Sequence, residues 1–416
     1  RGSLGVARTE ARFEELRRQA AMARVFGLDV QVITPGDIAE RVPMARTQDL
    51  VGGVFLPGDG QTNPIDTTIA FVNCAGMWGR ELADDAGAVV PLFAAEHFYI
   101  VTEAIEGIDR NMPVLRDPDG CSYFKEEVGK LMVGWFEPVA KPWGIGGVPK
   151  DFTFGTLPPD FDHIEPLLEA AAQRMPILET TGIQLFFNGP ESFTPDDRYL
   201  LGESPDVRGL FVAAGFNSIG IQSSGGAGKV LADWVVDGRP PMDLWDVDVR
   251  RMMPFQRNAA YLKDRTVETL GLLYAMHWPY HQPETARGAR KSAVHDRLAQ
   301  SGAVFGTVAG WERANWFAPE GVEPRYEYSY SRQNWFPHSG AEHMAVRTGV
   351  GLFDQSSFAK FHVEGPGALR VMEQISSNKM DVAVGRVVYT QWLNERGGIE
   401  ADLTVTRTGA RSFMVV

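Results

Sequence analysis

The stretch GLFVAAGFNSIGIQSSGGAGKVLADWVVDG at positions 209–238 constrains this chain more than any other. An apolar strand runs into a glycine-dense loop, and the loop runs into an amphipathic helix expected at Lys229–Val236. Gly215, Gly220, Gly225, Gly226 and Gly228 are expected to leave the backbone bare where strand becomes helix. Peptide N–H groups at a helix start can face an electron-rich ligand, and absent Cβ atoms allow close approach. The alternative is a tight strand-to-helix turn whose glycines serve packing alone.

Several phosphate motifs do not fit. A Walker loop needs Ser or Thr after Gly-Lys, and Lys229 precedes Val230. The dinucleotide fingerprint G-x-G-x-x-G is absent; Gly144-Ile145-Gly146-Gly147 comes nearest and lacks the third glycine.

A chain of 416 residues has room for two or three domains. Its net charge of −13 argues against nucleic acid and anionic membrane surfaces as partners. No apolar run is long enough to span a bilayer, and no signal peptide is visible. Cys74 and Cys121 are the two cysteines, which fits a reducing compartment and excludes a cysteine-rich zinc site. His277 and His281 are spaced i, i+4, but Trp278, Pro279 and Pro283 break any helix there, so no metal is expected.

Residues 1–245 alternate strands and helices, as α/β and α+β folds do. Glu10–Val25 and Ile164–Met175 read as helices; Ile69–Asn73, Phe98–Thr102, Lys130–Phe136 and Gln184–Phe187 read as strands. Residues 246–304 are richer in charge, with a helix at Asn258–Leu273. Residues 305–416 carry a new pattern: helices at Ala341–Gly349 and Ala368–Ile375, and strands at Lys360–Val363, Val387–Leu393 and Ile399–Thr406. Trp311, Trp316 and Trp335 read as core between domains.

Three segments together carry a resemblance. Val72-Asn73-Cys74-Ala75-Gly76-Met77-Trp78 resembles the segment of D-amino-acid-oxidase-type flavoproteins that closes over FAD. Phe193-Thr194-Pro195-Asp196-Asp197-Arg198-Tyr199-Leu200-Leu201-Gly202, with the glycine loop after it, is similar to the part beside the flavin ring and ribityl chain. Tyr389–Leu403, which contains Gly397-Gly398-Ile399-Glu400-Ala401-Asp402-Leu403, resembles the folate-binding core of the glycine-cleavage aminomethyltransferase. In this order the halves look like the dimethylglycine dehydrogenase and sarcosine dehydrogenase family. The stretches Arg290–Leu298 and Gly310–Phe317 resemble its bridging segment.

The resemblance implies a multidomain chain of α/β and α+β class. Residues 1–245 would be a partial FAD-dependent oxidoreductase domain, 246–304 a bridging domain, and 305–416 part of an aminomethyltransferase-like folate-binding domain. It implies oxidative N-demethylation of dimethylglycine or sarcosine, with the one-carbon unit captured by tetrahydrofolate. Electrons would pass to an electron-transfer flavoprotein or to O₂. The location would be cytoplasmic in a bacterium and the mitochondrial matrix in a eukaryote.

The same resemblance assigns residues. Cys74, Ala75, Gly76, Trp78, Pro195, Gly215, Phe216, Asn217, Gly220, Ile221, Gly225 and Gly226 are expected beside FAD. His97 and Tyr123 are expected on the substrate side, where an imidazole would orient the carboxylate or tune the amine's protonation. Their alternatives are a hydrogen-bonded strand histidine and a half-buried strand aromatic. Asp402, expected to be buried beside Leu403, would hold the pteridine nitrogens, with Tyr389 and Asn394 as neighbours; the alternative is a turn carboxylate. Asp354 reads as a turn-former.

The sequence also departs from that family. The first strand, its glycine fingerprint, the acidic residue for ribose and the histidine that bonds FAD covalently have no counterpart. Asn63–Thr68 resembles the start of a helix and runs almost directly into a strand expected several dozen residues later. Both ends read as cut, and the folate segment stops soon after Asp402. Three expectations follow: a demethylating dehydrogenase, a related oxidase of another N-methyl amine, or a chain that binds no FAD and is not an enzyme by itself.

Overall fold

The computed structural model describes residues 2–25, 27–58, 75–153 and 155–416. The strand expected at Ile69–Asn73 and the site residue Cys74 lie outside the described residues. Contacts divide the chain into two compact units. The first is Arg1–Ala289 with Gly306–Gly310 and Glu323–Pro337; the second is Arg290–Phe305, Trp311–Val322 and His338–Val416. The stretch 246–304 is therefore shared between them.

The first unit is built on a nine-stranded mixed sheet. Its strands are β1 (Ser3–Ala7), β2 (Gln31–Ile33), β3 (Gly52–Leu56), β4 (Phe93–Thr102), β5 (Val114–Asp117), β6 (Ser122–Glu126), β7 (Leu131–Trp135), β8 (Lys141–Trp143) and β9 (Ile183–Phe193). They run in the order β2-β3-β1-β5-β6-β7-β4-β8, with β9 also on β4. Alternate residues of a strand point to opposite faces. One face carries Leu4, Phe98, Ile100, Leu115, Phe124, Val133 and Trp135, packed with Ile164, Ala171 and Met175 into the main core. The last three come from or adjoin the helix Phe161–Arg174, which Asp160 caps by accepting from the His163 N–H at 3.1 Å. Each fully buried large side chain here contributes about 1.5–3 kcal/mol.

A charged cluster fastens this helix. Arg174 is buried and donates from Nε to the buried Asp117 at 3.0 Å; it grips Asp49 at 3.0 and 2.9 Å and also donates to the Arg46 carbonyl. Arg8 holds the same Asp117 oxygen at 2.6 Å.

A second, two-stranded sheet pairs β10 (Leu200–Glu203) with β11 (Phe211–Ala214). The helix Gly220–Asp237 follows β11 and ends on left-handed Gly238. It starts nine residues before the expected Lys229, so Gly225, Gly226 and Gly228 are helical residues rather than loop. Ala227 and Trp234, buried on one side, anchor the glycine-rich half as helix despite its poor propensity.

The second unit contains a four-stranded antiparallel sheet in the order Phe361–Glu364, Ser412–Val415, Ile399–Gly409, Val387–Leu393. Its helix Ala368–Ile375 packs Ala368 and Met372 onto Val405, Phe413 and Val415. Trp316 is buried within this unit and stacks on His338 at 5.5 Å, while Trp335 packs on Tyr326 and Tyr328 within the first unit. Among the described residues no helix is long and apolar enough to cross a membrane.

Candidate functional site

The other face of the large sheet lines a cavity of about 1210 Å³. Its floor follows from strand register. Val54, Gly5, Arg116, Tyr123, Gly134, Tyr99 and Phe187 are successive Cα partners across β3, β1, β5, β6, β7, β4 and β9. They form one row on one face. Positions two residues along share that face, which adds His97, Lys125, Gly189 and Glu191 to the lining. Gly134 is required here, because a Cβ would lie 2.2 Å from the Tyr123 hydroxyl.

His97 and Tyr123 thus meet in one cavity although they sit on different hairpins. Phe136 joins them: its ring is 5.0 Å from His97, 6.0 Å from Tyr123 and 4.8 Å from Tyr274. Tyr99 stacks on Phe187 at 4.6 Å. Burial pushes the Tyr123 and Tyr274 hydroxyls well above the usual phenol range, so both stay protonated and can donate. His97 Nδ1 is buried and has no hydrogen-bond partner among the described residues.

The glycine loop closes one end. Gly215 (φ 64°), Asn217 (φ 48°) and Ser218 (φ 64°) are all left-handed. Asn217 is buried; its Oδ1 accepts from the Thr194 N–H at 2.9 Å and its Nδ2 donates to the Thr194 hydroxyl at 3.1 Å. This ties the loop to the end of β9. Ser218 donates to Glu191, and Ser218, Ile219 and Gln222 line the cavity. Ile219 stands at the N-cap without a capping side chain, so the start of an 18-residue helix opens at the cavity with uncapped N–H groups. Trp78, at the end of the 3₁₀ turn Gly76–Trp78 that follows Ala75, also lines the cavity. Pro195 is buried just beyond β9, Phe216 stacks on Tyr199 at 4.7 Å, and Ile221 is exposed in the first helical turn. Gly225 and Gly226 have open space around them and are not among the lining residues.

The cavity's cations differ in how they are held. Arg12 is buried and bonded to Glu15, to Asp119 at 3.2 Å and to the Tyr274 carbonyl at 2.7 Å. Lys125 pairs with Glu127 at 2.6 Å. His277 places Nδ1 at 3.1 Å from Glu15 and Nε2 at 3.0 Å from the Leu272 carbonyl, so a doubly protonated ring satisfies both acceptors. The Glu15 hydrogen bond holds His277 above the usual histidine value. Burial works to raise Glu15, but the hydrogen bonds from His277 overcome it and hold the carboxyl below its usual range. His281 packs on Tyr328 at 5.3 Å.

Asp197 stands apart. It is left-handed (φ 58°), and its Oδ1 is buried without a hydrogen-bond partner among the described residues. Burial, with Asp196 beside it, pushes its carboxyl up to about 7. The unfolded chain releases this proton near pH 4 and the folded chain holds it until about pH 7, so folding loses stability as pH rises across that window. Asp197→Asn, which tolerates the left-handed backbone, is expected to be more stable than wild type by about 1–2 kcal/mol at pH 8 and equal to it near pH 4. Urea unfolding at both values checks this; a pH-independent gap would contradict it.

In the second unit, Asp402 is exposed rather than buried. It faces Gln391 across the hairpin and accepts from its Nε2 at 3.2 Å. The alternation that turns Leu403 and Val405 toward the core turns Asp402 away. Tyr389 shares this open face, and its hydrogen bond to Asp402 holds its hydroxyl above the usual phenol value. Asn394 shapes the turn instead, accepting from the N–H groups of Arg396 and Gly398. Asp354 is the turn-former expected, accepting from the Ser356 N–H at 3.0 Å.

Arg116, Glu191 and Tyr274 were not singled out from sequence. The signal for Arg116 lay in the tight turn Pro118–Gly120, which sets β5 against β6 and places Arg116 opposite Tyr123.

A family described as "FAD dependent oxidoreductase" matches residues 1–72 and 65–234, more than half of the chain. This chain belongs to that family. The "FAD dependent oxidoreductase central domain" matches at 237–292, and a separate family, the "GCVT N-terminal domain", matches at 294–416. A "4-methylaminobutanoate oxidase (formaldehyde-forming)" of Paenarthrobacter nicotinovorans is 41% identical over 457 aligned residues, covering 100% of this chain and 55% of that protein. The mitochondrial pyruvate dehydrogenase phosphatase regulatory subunit of Mus musculus is 33% identical, covering 100% and 53%. Mouse mitochondrial sarcosine dehydrogenase is 32% identical, covering 98% and 52%. The chain thus spans about half the length of the curated relatives it matches. The solved L-proline dehydrogenase of P. horikoshii shares the fold, with a TM-score of 0.52 at 17% identity over 60% of this chain and 76% of that one.

Proposed function

We propose that this chain forms the amine-oxidising part of an FAD-dependent enzyme that demethylates a small N-methyl amino acid. The single observation that carries this is the cavity between the left-handed loop Gly215–Ile219 and an aromatic sheet face bearing His97 and Tyr123. The flavin end of FAD fits the loop: Gly215 has no room for a Cβ, and the uncapped start of the helix Gly220–Asp237 offers N–H groups to an electron-rich edge. When bound, FAD supplies the acceptor for the hydride equivalent lost from the N-methyl carbon.

The chain's own residues supply the rest. Tyr99, Tyr123, Phe136, Phe187 and Tyr274 offer π faces that suit a methylated ammonium group. His97, with one ring nitrogen free of partners, is placed to take the ammonium proton and expose the lone pair that hydride loss requires. Loss of the hydride leaves an iminium on the substrate; water addition to it would release formaldehyde. In the second unit, Tyr389, Gln391 and Asp402 are the polar face offered to tetrahydrofolate as one-carbon acceptor. Candidate substrates are dimethylglycine, sarcosine and 4-methylaminobutanoate, and candidate electron acceptors are an electron-transfer flavoprotein and O₂.

A second reading keeps the cavity and drops the oxidation. Two observations favour it: the oxidoreductase family matches in two segments that meet at 65–72, and one relative is named for regulation. Titration of the chain with FAD separates the readings. The first expects a shifted, quenched flavin spectrum that bleaches when an N-methyl amino acid is added without oxygen. An unchanged spectrum of free FAD rules it out for this chain and leaves the second.

A further inference from the structure

Among the described residues, Glu191 is the one carboxylate that lines the cavity, and no cation pairs with it. The lining cations Arg12, Lys125 and His277 are held by other anions, Glu15, Asp119 and Glu127. Glu191 accepts from the Ser218 hydroxyl through Oε2, and its Oε1 has no donor among the described residues. Ser218 makes that bond from a left-handed backbone (φ 64°), which serine adopts at a cost and which persists where the surroundings fix it. The glycine loop thus fixes one oxygen of Glu191 and leaves the other to the cavity.

Strand register sets what stands around this carboxylate. Glu191 on β9 is the Cα partner of Ala95 on β4, and Gly189 is the partner of His97. Glu191 and His97 are therefore diagonal neighbours on one face of the pair. Such neighbours have Cα atoms about 7–8 Å apart, within reach of long and aromatic side chains. Gly189 makes room for Phe187, whose Cε1 lies 2.5 Å from where a Cβ would stand. Tyr123 is within electrostatic reach: burial and Tyr274 raise its hydroxyl, and the charge of Glu191 adds to the rise. A carboxylate set among π faces suits a cation.

Resting on the function proposed above, we infer that Glu191 is the counter-ion of the substrate nitrogen and that Ser218 holds it in place. The nitrogen is positive when the ammonium form enters, and Glu191 offsets that charge. The proton then passes to a ring nitrogen of His97, which takes it on its own lone pair. The positive charge has moved, but only to the diagonal neighbour of the same carboxylate. When the hydride leaves the N-methyl carbon for FAD with its electron pair, the nitrogen lone pair closes the C=N bond, and the nitrogen is positive again as the iminium. A fixed negative group beside each of these positions stabilises the charge without rearranging as it moves. It also makes the site select by charge at nitrogen, because a neutral group of the same shape loses the attraction.

The test compares two compounds of one shape that have no nitrogen lone pair and are not oxidised. Trimethylammonioacetate is positive at nitrogen, and 3,3-dimethylbutanoate is its neutral carbon counterpart. Titration calorimetry on the 416-residue chain with FAD is expected to show the first binding about tenfold or more tightly to wild type. Because aromatic rings also favour a cation, the variants carry the decision. Glu191→Gln, whose amide oxygen can still accept from Ser218, should weaken trimethylammonioacetate by about 10- to 100-fold and leave dimethylbutanoate within about twofold. Ser218→Gly, which suits the left-handed backbone, should weaken only the cation, by about three- to tenfold. Equal weakening of both compounds by Glu191→Gln, or weakening of neither, overturns this inference and leaves the proposed function standing. Failure of both compounds to bind wild type also overturns it, and the flavin bleaching described above then tells whether the proposed function falls as well.

Discussion

Arg174→Ala is expected to lower the unfolding free energy of the first unit by about 3 kcal/mol or more. Arg174 is 0% exposed, and so is Asp117, its partner at 3.0 Å. Removing the guanidinium strands part of a buried carboxylate and leaves the Arg46 carbonyl without its donor. Arg8 remains on Asp117 at 2.6 Å, which keeps the loss toward the lower end of the 3–5 kcal/mol usual for breaking a buried pair. The contrast lies at the other partner. Asp49 is 45% exposed, so Asp49→Ala should cost about 1 kcal/mol or less. Urea unfolding followed by tryptophan fluorescence, with the buried Trp135 as reporter, measures both. Equal losses for the two variants would show that burial does not govern this cluster.

Gly215→Val is expected to cost about 2–4 kcal/mol and to abolish uptake of FAD. Gly215 has φ 64°, where a β-branched residue is strained. A Cβ there would lie 2.5 Å from Leu92 Cδ2 and 2.6 Å from Thr194 Cγ2. Both neighbours are buried and cannot retreat. The loop must move instead, which breaks the Asn217–Thr194 hydrogen bonds and turns the helix start away from the cavity. Gly225→Ala supplies the control. Nothing lies within 4 Å of its Cβ position, so helix propensity alone should act, gaining about 0.5–1 kcal/mol. Fluorescence titration with FAD and thermal unfolding of the two variants give both quantities. Uptake of FAD by Gly215→Val at wild-type affinity would remove the loop from the flavin site.

Much of the secondary structure was legible because its cues are local. Glu10–Val25, Ala368–Ile375 and Val387–Leu393 stand where periodicity places them. The helix at Gly220–Asp237 did not, because glycine weakens the local cue; Ala227 and Trp234 hold that segment through contacts that propensity does not record. Asp402 is the other lesson. The motif around it was legible, but its burial depended on which face of the hairpin the core covers.

By itself the sequence determined the family, the order of its segments, and three of the residues that meet in the cavity, Trp78, His97 and Tyr123. Only the tertiary structure decided that they share that cavity with Arg116, Glu191 and Tyr274. The reason is physical. The alternation that assigns a side chain to one face of a strand is written within a few residues, whereas the register that aligns seven strands into one row is set by hydrogen bonds between segments far apart in the chain.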